Sequence, residues 1–355
     1  MSSERHHPKA QRWGAMSVVA ASVLWGTTGT AATFAAGVSP LAIGAVAMGL
    51  GGLLQALFAA RHIGRQAGSL LARWRLVLLG AAAVATYPLA FYSSMHLSGV
   101  AVGTVVSIGS APVAAALIER FADRKPLSRQ WILGALLGVG GAAMLSFAGH
   151  AAAVSPPVPA AAGEATACSP TAGILLGLLA GATYALYSWA AHRLAGTGVT
   201  ARAAMGSIFG LGGLLLMPVL AVTGGPLLES WGNAGVGAYM AVVPMFAGYV
   251  LFGWGLARVG ASTATSISLL ETVVAAVLAV LVVGERLPAL GWLGAAVVLA
   301  SLFILTPRTR PASSPAAAQP GAKEQPAAGS AGVLPPRAPG QHRGTQEQAG
   351  AQAQQ

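Results

Sequence analysis

One carboxyl stands where a charge is hardest to keep. Glu271 lies in the apolar run 261–283, about 15 Å of helical rise from either end. It is the only acidic residue at that depth in any apolar run. A charge there is costly, so the residue must face a cavity, hold a partner or be protonated, and the last suits a proton carrier. Thr265, Ser268 and Thr272 fall within a narrow arc of the same helix, with Ser268 three residues from Glu271, so hydroxyls are expected beside the carboxyl. The competing use is structural: a neutral Glu271 can hydrogen-bond across a helix crossing and hold the fold together. No Lys or Arg lies at matching depth, so a buried ion pair is not expected.

The run 99–118 carries a second polar stripe, Thr104, Ser107 and Ser110, followed by Ala111-Pro112. Pro112 removes a helix donor and is expected to kink the helix, as are Pro88 and Pro244 in their own runs. Aromatic residues fall in two groups. Trp13, Trp74, Trp131, Trp231 and Trp292 sit near run ends and suit a membrane interface. Trp25, Tyr87, Phe91, Tyr184, Tyr187 and Tyr249 lie deeper; Tyr184 and Tyr187 share a helix face, as do Tyr87 and Phe91. A pocket of such rings with a few hydroxyls suits a small amphipathic metabolite, although each ring alone also reads as packing. The candidate substrate-binding or coupling set is therefore Glu271, Ser268, Thr265, Thr272, Trp25, Tyr87, Tyr184, Tyr187, Tyr249, Ser107 and Ser110.

Enzyme chemistry finds little support. The chain has no Gly-x-Ser-Gly, no His-Glu-x-x-His and no phosphate loop. His96, His150 and His192 lie near run ends with no carboxylates arranged around them, and His6-His7 is a weak metal signal in the N-terminal segment. The single cysteine, Cys168, excludes an intrachain disulfide and a cysteine-based metal site. Neither a catalytic set, a metal nor a cofactor is expected.

The elements that position these residues follow from composition. The 355 residues are 55% hydrophobic and 8% charged, with mean hydropathy +0.68, whereas a soluble domain is roughly 25% charged. The net charge of +11 does not indicate nucleic acid, because the basic residues are scattered over short connectors between apolar runs. Ten runs of bilayer-spanning length are read at 14–35, 41–60, 76–95, 99–118, 130–148, 171–191, 203–223, 234–257, 261–283 and 289–306. They must be helices, since hydrocarbon leaves no water to satisfy a free backbone group. The first run is too long for a signal-peptide core and has a partner in the sixth, so it is kept. Residues 149–170, rich in Ala and Pro, form a linker, and the Pro/Ala/Gly/Gln-rich tail 307–355 is expected to be disordered.

The chain is one unit written twice. Gly49-Leu50-Gly51-Gly52-Leu53-Leu54 recurs unchanged at Gly210–Leu215, 161 residues on, and Val113, Ala115, Leu127, Gly134 and Leu145 recur at a spacing of 160. The basic connectors do not recur; they reverse. Connector 61–75 has four arginines, its counterpart 224–233 none; the neutral 36–40 corresponds to 192–202, which has two. With the N-terminus inside, sixteen basic residues near helix ends face inward and only Arg286 faces outward. Five helices per copy is an odd number, so the second copy must enter the membrane upside down, the inverted repeat of many secondary transporters.

Particular motifs carry a resemblance. The stretch from Gly260 through Leu270-Glu271-Thr272-Val273 to Gly284-Glu285-Arg286-Leu287, together with Leu24-Trp25-Gly26 and Ala111-Pro112-Val113, resembles the EamA family of the drug/metabolite transporter superfamily over about 14–306. Thr272 stands where the family usually has Pro, and Asp123-Arg124-Lys125 where Gly-Glu is usual. The resemblance implies an all-α integral membrane fold of ten transmembrane helices in two inverted five-helix repeats. Its divisions would be a cytoplasmic segment 1–13, a first EamA repeat 14–148, an extracytoplasmic linker 149–170, a second EamA repeat 171–306 and a cytoplasmic tail 307–355. It further implies a multi-pass carrier of the plasma (inner) membrane, exporting amino acids, related metabolites or drugs by alternating access, driven by an ion gradient. The partners expected are a small-molecule substrate and membrane lipid, with no nucleic acid. A lipid-modifying membrane enzyme and a non-transporting scaffold or sensor are the alternatives.

Overall fold

The computed structural model describes residues 8–98, 100–124, 126–153, 170–284 and 287–305, and all its regular elements are helical. The first half comprises α1 (Pro8–Gly26), α2 (Thr28–Ala32), α3 (Pro40–Arg65), α4 (Ala67–Leu71), α5 (Trp74–Ser98), α6 (Val100–Ala122) and α7 (Arg129–Ala153). The second comprises α8 (Pro170–Ala195), α9 (Ala201–Thr223), α10 (Trp231–Met240), α11 (Gly248–Val259), α12 (Ala261–Ile267), α13 (Leu270–Leu278) and α14 (Ala289–Leu305). A π-helical turn, Ala241–Ala247, joins α10 to α11, and a second, Ala279–Val283, follows α13. The tail 307–355, most of the linker, Cys168 and the Glu285-Arg286 pair lie outside the described residues.

Against ten expected spans, eight helical stretches among the described residues are long and apolar enough to cross a bilayer. The other two, Arg129–Leu145 and Ala289–Leu305, are apolar but shorter; they are the fifth helix of each copy and pack on one another. Several ends differ from the apolar runs. The first run breaks at Thr27, where the Thr27 and Thr28 hydroxyls donate to the carbonyls of Leu24 and Trp25 at 2.6 and 2.7 Å. Helix α7 continues past 148 into the expected linker, to Ala153. Helix α6 runs unbroken through Pro112 and α5 through Pro88, whereas Pro244 sits inside the first π-helical turn.

Local signals repeat along with the sequence. Ser39 caps α3 by accepting from the Ala42 amide at 3.2 Å, and Thr200, 161 residues later, caps α9 through the Ala203 amide at 3.3 Å. Gly284 takes a left-handed φ of +81° just beyond the second π-helical turn, and its counterpart Arg124 takes φ 53° just after α6. A conformation natural to glycine is thus kept in the first copy at the steric expense of a side chain.

The two copies interlock. The recurring hexapeptides meet each other where α3 crosses α9. A Cβ placed on Gly213 would lie 2.6 Å from the Gly49 carbonyl oxygen, and one on Gly206 would strike Ala59, so the two helices run antiparallel. Only glycine lets the backbones approach this closely, and close van der Waals contact is what holds helices together when lipid is the solvent. Helices α7 and α14 also cross antiparallel, with Gly141 on Gly294, Gly138 on Ser301 and Gly134 on Leu305; Gln130 Nε2 donates to the Ile304 carbonyl at 2.8 Å. The first helix of each copy packs on the third of the other, α1 on α11 and α8 on α5. Each first helix also meets the other copy's fourth, α1 with α12 and α13, α8 with α6. The outer surface is apolar. Leu57, Leu136, Phe121 and Phe303 are largely exposed, and Trp231, at the start of α10, is 95% exposed. Such a surface is a liability in water and the surface that a bilayer requires.

Candidate functional site

Rings from five cross-packed helices converge at the centre. Trp25 of α1 lies 4.7 Å from Tyr249 and 5.1 Å from Phe252 of α11, centroid to centroid. Tyr184 and Tyr187 of α8 stack at 5.3 Å, and Tyr87 of α5 reaches both, at 5.6 and 6.0 Å. Phe209 of α9 closes the cluster 4.4 Å from Tyr249. Edge-to-face and offset arrangements of this kind contribute about 0.5–1.5 kcal/mol per pair beyond area burial. The polar tips are matched. Tyr187 and Tyr249 share a hydroxyl–hydroxyl hydrogen bond of 2.8 Å, and Tyr184 donates to Ser268 Oγ at 2.9 Å. Trp25 Nε1 donates to the Pro244 carbonyl at 2.9 Å. That carbonyl lies in the π-helical turn, where the proline supplies no amide and the helical ladder is disrupted. Trp25, Tyr184, Tyr187, Tyr249, Phe209 and Phe252 are all buried, so they form a packed floor; Tyr87 and Phe91, stacked at 5.7 Å, stay half-buried above it.

Glu271 emerges beside this floor because its helix is broken. The run 261–283 is not one helix: α12 ends at Ile267 and α13 begins at Leu270. Across the gap the backbone tightens, with Leu269 N–H bonding to Ser266 O at 3.3 Å and Glu271 N–H to Ser268 O at 3.0 Å. The hydroxyls expected around the carboxyl do something else. Thr265 donates to the Ala261 carbonyl at 2.9 Å, Ser268 to the Thr265 carbonyl at 2.8 Å, and Thr272 to the Leu269 carbonyl at 2.7 Å. A hydroxyl on an apolar helix finds its own upstream carbonyl before it finds a neighbour. The Glu271 carboxyl makes no hydrogen bond to any described side chain and is half-buried, within electrostatic reach of Tyr87, Tyr184 and Tyr249. In the first copy, Ser107 is buried and Ser110 donates to the Ser107 carbonyl at 3.3 Å. Both lie where α6 crosses α8 at Gly181, one turn from Tyr184.

A second carboxyl was hidden from hydropathy. Glu119, one residue beyond the apolar run 99–118, belongs to α6 and is 5% exposed. It accepts from the Ala261 amide at 3.1 Å and from Ser262 Oγ at 2.5 Å, so a residue of the first copy caps the broken helix of the second. Its signal was present: Ala111, Ala115 and Glu119 are spaced by four, and the first two are wholly buried. Next to it Asp123 pairs with Arg193 and accepts from Trp189 Nε1 at 2.9 Å, while His192 Nδ1 lies 2.7 Å from the Leu256 carbonyl oxygen. This end of the bundle is tied together. Helix α12, which starts here, has Ala261, Ser262, Ala264, Thr265, Ser266 and Ile267 buried; α13, beyond the break, buries only Leu270 and Val273.

The model of the EamA-like transporter family matches residues 12–147 and, a second time, 171–306. The chain belongs to the EamA-like transporter family. The two matches coincide with the two interlocked copies, and the EamA membership makes this a multi-pass membrane transporter. An EamA relative at 30% identity over 294 residues is YwfM of Bacillus subtilis (strain 168), named an uncharacterized transporter; the similarity covers 82% of this chain and 93% of YwfM. A protein of known crystal structure, 18% identical, superposes with a TM-score of 0.62 over 82% of this chain and 96% of its own, a likeness of fold. For the EamA fold seen here, the residues singled out by sequence divide into two groups. Glu271, Ser268, Trp25, Tyr87, Tyr184, Tyr187 and Tyr249 meet at the centre, while Thr265 and Thr272 are bonded within their own helix and Ser107 and Ser110 sit at a helix crossing.

Proposed function

We propose that this EamA protein is a secondary active exporter of a small metabolite, an amino acid, a related compound or a drug, working by alternating access across the plasma membrane and coupled to protons. In this reading the chain crosses ten times, the copies insert in opposite senses, and both termini are cytoplasmic, as the basic connectors require. The observation that carries the proposal is the break at Ser268–Leu269. It puts a half-buried carboxyl at mid-span, between two antiparallel copies, on a helix packed at one end and loose at the other. Discontinuous helices at the repeat interface are where secondary transporters bind solute and coupling ion. Glu271 is the coupling group, and the aromatic floor is the apolar wall of the site.

The test is flux in reconstituted vesicles. Glu271→Gln keeps the shape and cannot carry a proton, so a pH gradient should no longer drive solute uphill, while downhill exchange of solute persists. Gradient-driven accumulation at the level of the unmodified protein would remove Glu271 from the coupling.

A further inference from the structure

The solute's charge can be read from the same site, on the footing that this site is where solute binds. We infer that the recognised group is a positively charged nitrogen, a protonated amine or quaternary ammonium on an apolar body, and that solutes bearing a carboxylate are disfavoured. The charge inventory is one-sided. Glu271 is the only formally charged side chain in the middle of any described helix; every described Arg, Lys and His lies near a helix end or in a connector. The carboxyl has no described side chain to hydrogen-bond it, and neither does the half-buried Tyr87 hydroxyl. Aromatic rings neighbour them: Tyr87 stacks on Phe91 and packs on Tyr184, which meets Trp25 edge-on, and Tyr87 and Tyr184 lie within electrostatic reach of the carboxyl. Hydroxyls and π faces receive a cation well. A bound anion would find no basic partner and would sit a few ångströms from a carboxylate where screening is weak, which is strongly repulsive. A zwitterionic amino acid satisfies Glu271 with its ammonium and leaves its own carboxylate on hydroxyls alone, so it ranks between the two.

Three probes of one skeleton separate these cases: phenethylamine, phenylalanine and phenylacetate, each titrated to about 10 mM against the purified full chain in detergent, with the rise of the thermal midpoint as readout. The expected order is phenethylamine above phenylalanine, with no rise for phenylacetate. Glu271→Asp should keep that order, and Glu271→Gln should abolish the amine's advantage, shifting its apparent affinity at least about tenfold. A rise with phenylacetate equal to that with the amine, an amine preference that survives Glu271→Gln, or no rise with any amine would each overturn the inference. Flux is measured separately. An amine that binds through Glu271 and never crosses vesicles would refute the transporter reading and leave the charge selectivity standing. Glu271-dependent flux of phenylacetate would do the opposite.

Discussion

At the scale of single residues, two carboxylates have opposite tasks because their surroundings differ. Glu271 meets no described hydrogen-bonding side chain and is half-buried; Glu119 is buried and bonded to an amide and a hydroxyl of a different helix. Removing Glu119 strips the buried Ala261 amide and Ser262 hydroxyl of their acceptor, a loss of about 1–3 kcal/mol. Glu119→Ala should lower the thermal midpoint of the purified protein clearly, and Ser262→Ala less, since it deletes the donor along with its need. The double variant should be no less stable than Glu119→Ala alone by more than about 0.5 kcal/mol, because both substitutions delete one interaction. Additive losses would show that the carboxylate stabilises the fold through something other than this cap.

The elements are held by glycine rather than by hydrophobic contrast. Lipid is as apolar as leucine, so helices associate through close contact, and the hexapeptide pair on α3 and α9 brings backbone against backbone. Gly213→Val should wedge these helices apart, costing about 1–3 kcal/mol in unfolding measurements. Gly140 on α7 has nothing within 4 Å of where its Cβ would stand, so Gly140→Ala should leave stability unchanged or raise it by up to about 1 kcal/mol. Equal behaviour of the two variants would mean that the crossing is not what holds the copies. The same element scale explains the broken helix. Hydroxyls at Thr265, Ser268 and Thr272 turn back on their own carbonyls, and a cap from α6 pins the near half, so α12 and α13 can stand as separate pieces without a proline between them.

For the molecule as a whole, the asymmetry along its length matters most. One end is tied by Glu119 to α12 and by Asp123 to Arg193 and Trp189; past the break the helix loosens. Under the alternating access proposed above, this tied end would part during each cycle. With Cys168 replaced by serine, Asp123→Cys and Arg193→Cys joined by a short cleavable thiol cross-linker should therefore stop flux, and cleaving the linker should restore it. Full flux with the link in place would mean that this end never opens. Since each helix packs chiefly on the other copy, neither copy buries a complete core alone, and the proposed alternating access would have to move helix pairs drawn from both.

Much of this was legible in the residues. Hydropathy placed the helices, because a backbone in hydrocarbon has no alternative partner for its amides. The recurrence of Gly49–Leu54 at 161 residues announced the duplication, and the reversed arginines its inversion. Those are short-range or additive properties, carried by composition and spacing. What tertiary structure alone decided is which groups meet. The recurring hexapeptides turned out to face one another; Glu119 reached an amide 142 residues away; the hydroxyls near Glu271 bonded to their own helix; and the deep aromatics closed into a floor with Glu271 beside it. Such pairings depend on how two helices cross, and a crossing is set by side-chain shape on both surfaces at once, which no local periodicity encodes.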